Sequence, residues 1–447
     1  MMNLLSNRRL KINPEGNLCW NGIDLYKLAK RITTPSHIIN EQILRDNARF
    51  FISTLRRYYS NCDFFFSFKT NCIPKLIRIL QEEGFGAEVV SEYELWLALK
   101  LGFSGDRIIV NGIGKTPEMI RTAVINNVRT IGIDSLHEID ILSNICKREK
   151  KNVSAILRIN VGFNCWVIPS LRNQFGIDGK QIFKAVDKIY NSDYLIVEGI
   201  HFHSGSNIYS LNAYKKNITK ALSYLTLLKD KIKGVPILDI GGGFPGLNTR
   251  GFNMWEFFLL EFFPYEPCGK LRGEDYLQNY LCNLISYVKN KVKKFGFDKL
   301  HLFVEPGRVI TESSQLMLTQ VRDVKLNNNI HFAITDSGAF SNAFCAKYEF
   351  HNIYRVNNPV LTGPVKSYCL TGRLCTPGDI LYRKKTLPEL KLGDILAMMD
   401  TGAYFTSFAN NFSFPKPSIY LIKLKDQEII PLKEEKFGDI IKSDLIN

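Results

Sequence analysis

The sequence predicts an eight-stranded α/β barrel of the TIM type followed by a β domain, and three observations predict it. The chain has 447 residues, which is too long for one ordinary hydrophobic core. Between residues 62 and 307, short β-branched or aromatic runs alternate with longer amphipathic stretches. After about residue 310, strand-like runs continue without long helices. We therefore predict a barrel over residues 41–310 and a β-sandwich or β-barrel domain over residues 311–447.

The runs of the first part supply eight candidate strands. The stretches between them have helical spacing, as in PKLIRILQEEG with Leu76, Ile77 and Leu80, or in SEYELWLALKLG, which ends at Gly102. Eight strand-then-helix units predict a closed parallel barrel. In chain order the predicted strands are DFFFSFK, AEVVS, RIIVN, TIGID, SAILRIN, YLIVEGIHFH, PILDIG and HLFVEPG.

The second part predicts a β domain because its runs are punctuated by Gly, Pro and Asn. They are QLMLTQVRDVKL, HFAITDS, DILYRK, DILAMMD and SIYLIKLK. Residues 1–40 contain only the short runs LKIN and LCW, which cannot begin the barrel. We expect this N-terminal segment to join the β domain.

Composition excludes several classes of protein. Hydrophobic residues make up 45% and charged residues 23%, which is typical of a soluble globular chain and not of a disordered or fibrous one. The net charge is +15, but the lysines are dispersed and no basic helix or aromatic RNA-binding signature gathers them. We expect no nucleic-acid partner and attribute the charge to a composition rich in Lys and Asn.

Neither a targeting segment nor a metal site is expected. The N-terminus lacks an apolar core of signal-peptide length, and the aromatic stretch MWEFFLLEFFPY is interrupted by Glu256 and Glu261. Ten cysteines are scattered along the chain without a C-x-x-C pair or metal-ligand spacing. We predict a cytoplasmic protein with reduced thiols, no membrane partner and no metal.

Polar residues end the predicted strands, where barrel enzymes place their reactive groups. A lone lysine at a strand end is usually a solvated rim residue, but here Lys69, His203, the triplet Gly241 to Gly243 and Glu305 end separate strands. DIGGGFPG also matches G-x-G-x-x-G, yet it follows the seventh strand and meets Pro245 at once, which disfavours a dinucleotide fold. Loops after the seventh and eighth strands commonly bind phosphate, so we predict a phosphorylated cofactor.

Seven motifs, in order over residues 40 to 420, carry a resemblance to a known family. They are FSFKTNCIP, GAEVVSEYEL, HFHSGSN, LDIGGGFPG, VEPGR, LCTPGD and DTGAYFTSFANNF. The chain resembles the fold-type III pyridoxal-phosphate decarboxylases that act on diaminopimelate, ornithine or arginine. The resemblance implies an alanine-racemase-like barrel, pyridoxal 5'-phosphate as cofactor, and release of carbon dioxide from an amino acid through a Schiff base on Lys69.

The resemblance also assigns the residues that bind the cofactor. Lys69 would carry it, Glu305 would keep its pyridine nitrogen protonated, and His203 would stack on its ring. Glu88 stands where the family usually has an aspartate, and Arg158 would orient nearby carboxylates or form an ordinary buried ion pair. The glycines could instead serve tight turns. Phosphate holders would be Ser206, Gly242, Gly243, Gly307, Arg308 and Tyr404.

A second set of residues is implied for proton transfer and substrate binding. Cys375 matches a family cysteine that assists protonation after decarboxylation, although a packing role is the default for an isolated cysteine. In the family its loop comes from the partner subunit of a head-to-tail homodimer, so shared active sites are expected. Asp379 would order this loop. The expected substrate residues are Arg308, Tyr348, Thr376 and Asp379.

Departures from the family pattern concern the substrate. Thr376 stands where an acidic residue commonly binds a distal amino group, and the position of an arginine that grips a distal carboxylate falls near Phe344. Unpaired charges are costly in a closed site, so diaminopimelate should bind poorly. We expect a different or modified amino acid, such as a carrier-linked or siderophore-pathway intermediate. The aromatic segment over residues 253–276 covers the pocket, binds a partner or forms a small packed subdomain.

Two other functions compete with decarboxylation. Amino-acid racemases with this cofactor typically place an arginine at the pyridine nitrogen, so Glu305 argues for loss of carbon dioxide. A catalytically silent regulatory homologue would keep the fold alone, and the presence of both Lys69 and Cys375 argues against it.

Overall fold

The computed structural model describes residues 9–164, 169–170, 174–267, 272–341, 349–359 and 364–442. They form two compact units. The barrel unit comprises residues 47–245 and 275–309, and the β-rich unit comprises residues 9–46, 246–274 and 310–442, apart from the gaps just given. Within these residues, helices that could span a lipid bilayer by length and apolarity are not found.

The strands are numbered in chain order. They are β1 (Leu10–Ile12), β2 (Leu18–Trp20), β3 (Ile23–Asp24), β4 (Ser36–Asn40), β5 (Cys62–Ser67), β6 (Gly86–Val89), β7 (Ile108–Val110), β8 (Thr130–Ile133), β9 (Val153–Arg158), β10 (Phe163–Asn164), β11 (Pro169–Ser170), β12 (Leu195–His201), β13 (Ile237–Asp239), β14 (Arg250–Gly251), β15 (His301–Val304), β16 (Gln315–Asn327), β17 (Ile330–Thr335), β18 (Glu349–Phe350), β19 (Ile353–Arg355), β20 (Val365–Thr371), β21 (Ile380–Pro388), β22 (Ile395–Met398), β23 (Ser418–Ile422) and β24 (Ile429–Lys433).

The helices are numbered in the same way. They are α1 (Leu25–Ala29), α2 (Glu41–Arg56), α3 (Pro74–Glu82), α4 (Glu92–Lys100), α5 (Pro117–Ile125), α6 (Leu136–Glu149), α7 (Ile182–Tyr190), α8 (Leu211–Leu227), α9 (Met254–Phe262), α10 (Glu274–Lys294), α11 (Arg308–Thr311), α12 (Phe405–Phe408) and α13 (Phe437–Ile440).

The barrel unit contains a closed barrel of eight strands in the order β12-β13-β15-β5-β6-β7-β8-β9. Every pair in it is parallel. These are the eight runs that the sequence predicts, so the predicted barrel is confirmed. Among the described residues, a buried apolar cluster lies inside the barrel, and its first four members come from alternate strands, as is usual for a layer of such a barrel. The cluster is Phe65, Ile109, Ile156, Ile237 and Phe303.

Hydroxyl caps fix the turns at which barrel strands pass into helices. Ser91 Oγ accepts from the N–H of Glu94 at the start of α4, and Ser135 Oγ accepts from the N–H of Glu138 at the start of α6, both at 3.2 Å. Thr116 caps α5 in the same way. These bonds satisfy N–H groups that a helix start otherwise leaves unpaired. Each strand end is thereby held in a defined position at one rim of the barrel.

The β-rich unit is built on a nine-stranded sheet, which agrees with the predicted β domain. The order along its main path is β21-β20-β17-β16-β4-β23-β24, with β22 paired to β16 and β19 paired to β22. The strand β4 from the N-terminal segment is antiparallel to β16 and parallel to β23. Residues 246–274 also cluster with this unit, whereas the linear division at residues 40 and 310 stays a prediction.

A glycine in the barrel wall offers a test of its packing. A Cβ built on Gly199 of β12 would lie 2.1 Å from the carbonyl oxygen of Ile237 on the neighbouring strand. Since the backbone must shift to relieve that overlap, Gly199→Ala should lower the free energy of unfolding by about 1–3 kcal/mol. Gly438→Ala is the control, because no heavy atom lies within 4 Å of its added Cβ. Equal urea midpoints for the two variants would contradict this account.

Candidate active site

A lysine and a glutamate form an ion pair at the mouth of the barrel. Strand β5 ends at Ser67, and a 3₁₀ turn over Phe68–Thr70 carries Lys69. Lys69 Nζ donates to Glu88 Oε2 at 2.8 Å, and Ser67 Oγ donates to the same oxygen at 2.6 Å. The Lys69 side chain is 37% exposed and that of Glu88 only 2%. One accessible amine is therefore held against a buried carboxylate.

The charge state of Glu88 follows from its neighbours. Burial raises the pKa of Glu88, but the charge of Lys69 and the hydrogen bonds from Lys69 and Ser67 outweigh it, so the pKa lies below its usual value. Glu88 is thus an ionised counter-ion for the Lys69 ammonium. Its carboxylate is also an acceptor within hydrogen-bond reach of Lys69 Nζ.

Asn111 links this ion pair to a second carboxyl. Its Nδ2 donates to Glu305 Oε1 at 2.5 Å and makes a long contact of 3.5 Å to Glu88 Oε1. A Cβ on Gly132 of β8 would lie 2.3 Å from Asn111 Oδ1, so a glycine at this position leaves space for the Asn111 amide. The barrel thereby connects Glu88 and Glu305, which are far apart in sequence.

Glu305 lies in a buried cluster with Asp239 and His201. One imidazole nitrogen or carboxylate oxygen from each of the three residues lies within 4.8 Å of the others, and His201 Nε2 is 3.8 Å from Glu305 Oε2. Burial raises the pKa of Asp239 to about 7, and burial together with the charges of Asp239 and Glu88 raises that of Glu305 well above its usual value. Burial holds the pKa of His201 well below its usual value. The cluster therefore keeps a proton on Glu305, hydrogen-bonded to Asp239.

The glycine turn follows β13 directly. Gly241 and Gly243 have φ values of +64° and +93°, which favour glycine. A Cβ on Gly242 would lie 2.3 Å from the carbonyl oxygen of Glu305, and one on Gly243 would lie 2.2 Å from that of Gly205. Close approach of neighbouring backbone, as well as the turn itself, thus requires these glycines.

His203 is attached to the same turn. Its Nδ1 accepts from the N–H of Gly242 at 3.3 Å. Burial, aided by the positive charges of Lys69 and Arg158, lowers the pKa of His203 to about 3. A neutral imidazole with a fixed ring plane therefore lies near the lysine.

The other barrel-unit residues of the predicted site are placed as follows. Arg158 ends β9, with Nη1 3.4 Å from Asp134 Oδ1 and its guanidinium 4.6 Å from the centre of the Phe175 ring, an arrangement that a structural ion pair would also have. A Cβ on Gly307 would lie 2.1 Å from Thr70 Oγ1, so this glycine packs on the turn of Lys69. Arg308 is buried at the start of α11, and Ser206 is half-buried after β12.

Four predicted residues belong to the β-rich unit, and their roles stay predictions. Cys375 and Thr376 are exposed in the loop after β20, and Tyr404 has a φ of +72° before α12. Asp379 is buried, and its two carboxylate oxygens accept from the N–H groups of Ala339 at 2.6 Å and Leu374 at 2.8 Å. Its carboxylate thus orders the loop. Tyr348, like Phe344, lies outside the described residues.

Sequence reasoning missed two members of the site and gave no role to a third, Asn111, which it places among the polar residues that end the strands. Asp239 lies in LDIGGG, and His201 precedes His203 by the two-residue period of a strand. Both could have been found by asking which residues point into the barrel just before the strand end. The seven cysteines in the described part of the chain are free thiols, and only Cys375 among them is exposed.

The donor set fits pyridoxal phosphate. Lys69 is an accessible amine for the aldehyde, and Glu305 holds a proton that suits a ring nitrogen. Within the described residues, both ring nitrogens of buried His201 have no hydrogen-bond partner, which leaves polar capacity next to Glu305. The turn over Gly241–Gly243 provides backbone at a strand end, where phosphate groups commonly bind.

The shifted pKa of Asp239 predicts a pH dependence. The folded protein keeps the Asp239 proton up to about pH 7, whereas an unfolded chain loses it near pH ~4. Raising the pH through this window therefore destabilises the wild type. Asp239→Asn cannot ionise, so its unfolding free energy relative to wild type should rise by up to ~1.4 kcal/mol per pH unit from pH ~4 to ~7.

Urea unfolding at several pH values measures this difference. Asp298→Asn is the control, because Asp298 is exposed at the opposite end of the barrel strands and should follow the wild type at every pH. If the unfolding free energies of Asp239→Asn and wild type kept a constant difference from pH 4 to 7, the raised pKa of Asp239 would be contradicted.

Known proteins match the chain over nearly its whole length. The family described as "Pyridoxal-dependent decarboxylase, pyridoxal binding domain" matches residues 49–312. A diaminopimelate decarboxylase of Bacillus subtilis (strain 168) is 27% identical over 97% of this chain and 96% of the relative. A diaminopimelate decarboxylase of Staphylococcus aureus (strain COL) is 29% identical over 97% of this chain and 99% of the relative.

Solved structures share the fold. A diaminopimelate decarboxylase from M. jannaschii in co-complex with L-lysine superimposes with a TM-score of 0.84 at 24% identity, covering 99% of each chain. A lysine decarboxylase from Selenomonas ruminantium gives a TM-score of 0.74 at 22% identity, covering 92% of this chain and 98% of the other. Since the family match extends over more than half of the residues, the chain belongs to the pyridoxal-dependent decarboxylases.

Proposed function

We propose that the chain releases carbon dioxide from the α-carboxyl group of an amino acid other than diaminopimelate, with Lys69 as the amine that binds the cofactor. The observation that carries the catalytic part is the Lys69–Glu88 ion pair at 2.8 Å, connected through Asn111 to the protonated Glu305–Asp239 pair. A nucleophilic amine and a buried proton source are thus held in one barrel mouth.

Pyridoxal phosphate supplies, when bound, an aldehyde that reacts with amines and a protonated ring that accepts electrons from a neighbouring carbon. Lys69 needs to lose a proton before its nitrogen can act as a nucleophile. Glu88 Oε2 is an acceptor in reach of that proton. Ser67 keeps Glu88 oriented by its own hydrogen bond to the same oxygen.

Glu305 has the complementary task of holding a proton at the ring nitrogen. Its carboxyl is oriented by Asn111 and hydrogen-bonded to Asp239, and burial opposes its ionisation. An acid at this position favours loss of carbon dioxide over racemisation, since it preserves the electron demand of the ring. His203 would lie against the ring, and Gly242 with Gly243 would bind the phosphate.

The remaining proposed roles rest on the family resemblance. Cys375 would return a proton to the carbon that loses carbon dioxide, and its loop would come from the partner subunit of a homodimer. Ser206, Gly307, Arg308 and Tyr404 would complete the phosphate site.

Two observations support a substrate other than diaminopimelate. Thr376 is neutral and exposed, and the carboxylate of Asp379 is engaged by two backbone N–H groups. The loop over residues 372–379 therefore offers no free carboxylate to a distal ammonium group. We propose an amino acid whose distal end is modified, such as a carrier-linked or siderophore-pathway intermediate.

Replacing the reactive lysine tests the catalytic part. In Lys69→Ala, the absorbance band that pyridoxal phosphate gives with the wild type should vanish, and carbon dioxide release should fall at least about a thousandfold, because no other amine takes its place. Lys75→Ala is the matched control, because Lys75 is an exposed lysine on α3. Retained absorbance and turnover in Lys69→Ala would contradict the proposal.

A substrate panel tests the specificity. Carbon dioxide release is measured for meso-diaminopimelate, lysine, ornithine, arginine and amino acids acylated or extended at the distal end. We expect kcat/KM for at least one distally modified amino acid to exceed that for meso-diaminopimelate by about a hundredfold. The reason is that an unpaired charge in the closed site costs about 3 kcal/mol. Efficient and stereospecific decarboxylation of meso-diaminopimelate would overturn this part.

A further inference from the structure

The aromatic segment around α9 is fixed to the β-rich unit at both ends. At its start, β14 pairs antiparallel with β18, so that Arg250 lies opposite Phe350, and Asn253 and Glu256 form a capping box at the first turn of α9. At its end, Glu266 accepts from Thr386 Oγ1 at 2.7 Å and lies 3.3 Å from Lys385 Nζ, both on β21. The helix between these anchors is therefore held in place over β21.

A cavity of about 280 Å³ lies between α9 and the start of β21. Phe257 and Leu260 face it from the helix, and buried Phe252 and Leu381 contribute apolar surface. The outward residues of the same helix, such as Trp255 at 78% and Phe262 at 67%, are exposed. The volume is near the lower limit for small-molecule sites. We call this cavity the α9 pocket.

Two opposite charges border the α9 pocket. Arg383 and Glu261 both line it, and in the described part of the chain neither has a hydrogen-bond or ion-pair partner. Their other charged neighbours are already engaged, since Glu266 binds Lys385 and Glu256 binds Arg250. A free guanidinium suits a carboxylate, which it can bind with two parallel hydrogen bonds, and a free carboxylate suits an ammonium group.

We infer that the α9 pocket is a second binding site, for a free α-amino acid with an apolar side chain. The ligand carboxylate would bind Arg383, its ammonium group would bind Glu261, and its side chain would pack on Phe257 and Leu260. Such a ligand would satisfy both charges and the apolar surface of the pocket. A simple carboxylate or a hydrocarbon would satisfy only part of them. All lining residues belong to the β-rich unit.

Occupancy of the α9 pocket affects the loop of Cys375. Pro377 and Gly378 line the pocket and follow Cys375 by two and three residues. A ligand that packs on them restricts the exposed residues 375–378, which are bracketed by the hydrogen bond from the Leu374 N–H to the Asp379 carboxylate. The site thereby couples the concentration of an amino acid to the mobility and accessibility of the Cys375 thiol.

Binding is tested with the full-length Lys69→Ala protein, so the result does not depend on decarboxylation. Isothermal titration calorimetry with L-leucine, L-phenylalanine and L-lysine should give saturable binding of the first two and at least tenfold weaker binding of L-lysine. Adding Arg383→Gln should weaken the binding of L-leucine or L-phenylalanine about tenfold. Adding Lys391→Gln, at an exposed lysine of the β-rich unit that does not line the α9 pocket, should leave binding unchanged. No binding, or equal affinity in the Arg383 and Lys391 variants, would overturn the inference.

Filling the pocket gives an independent test. Leu260→Trp should abolish binding of L-leucine, whereas Phe258→Trp on the exposed side of α9 should not, and thermal unfolding checks that both variants fold. Peptide mass spectrometry follows alkylation of Cys375, which L-leucine should slow several-fold in the Phe258 variant and not in the Leu260 or Arg383 variants. Unchanged Cys375 labelling at saturating ligand would overturn the coupling to the loop, and undiminished binding in a folded Leu260→Trp would overturn the site.

Discussion

The barrel mouth buries three carboxyl groups, and the arrangement of the site depends on how their charges are neutralised. Glu88, Asp239 and Glu305 are each almost inaccessible to solvent. Three carboxylates cannot remain ionised together at such a place, since like charges and desolvation both raise the cost. A cation and protonation resolve the conflict. Lys69 neutralises Glu88, Glu305 retains a proton, and burial raises the pKa of Asp239 to about 7.

This division of charge produces two different chemical functions from one type of side chain. We propose that the ionised Glu88 receives a proton from Lys69, whereas the neutral Glu305 would hold one at the ring nitrogen of the cofactor. Asn111 separates the two and fixes the orientation of Glu305. The barrel supplies the arrangement because β5, β6, β7, β13 and β15 all end at the same rim, where their terminal side chains converge.

Much of this could be predicted from the sequence, for physical reasons. The eight strands were predictable because buried parallel strands are short β-branched runs that alternate with helical spacing. Lys69, Glu305 and the glycine turn were predictable because each follows such a run. The proton on Glu305 was not, since it arises from burial by residues distant in sequence. Residues 246–274 cluster with the β-rich unit through the pairing of β14 with β18 and the ion pair of Glu266 with Lys385, which no local pattern reveals.

The central claim is that the Lys69 amine, held by Glu88, is the group that binds the cofactor aldehyde. The most direct measurement is reduction of the cofactor-loaded wild-type protein with borohydride, followed by mass spectrometric mapping of all lysine-containing peptides. We expect a phosphopyridoxyl group on the peptide that contains Lys69 and on no other peptide in stoichiometric amount. Stable labelling of a different lysine, or no labelling under these conditions, would contradict it.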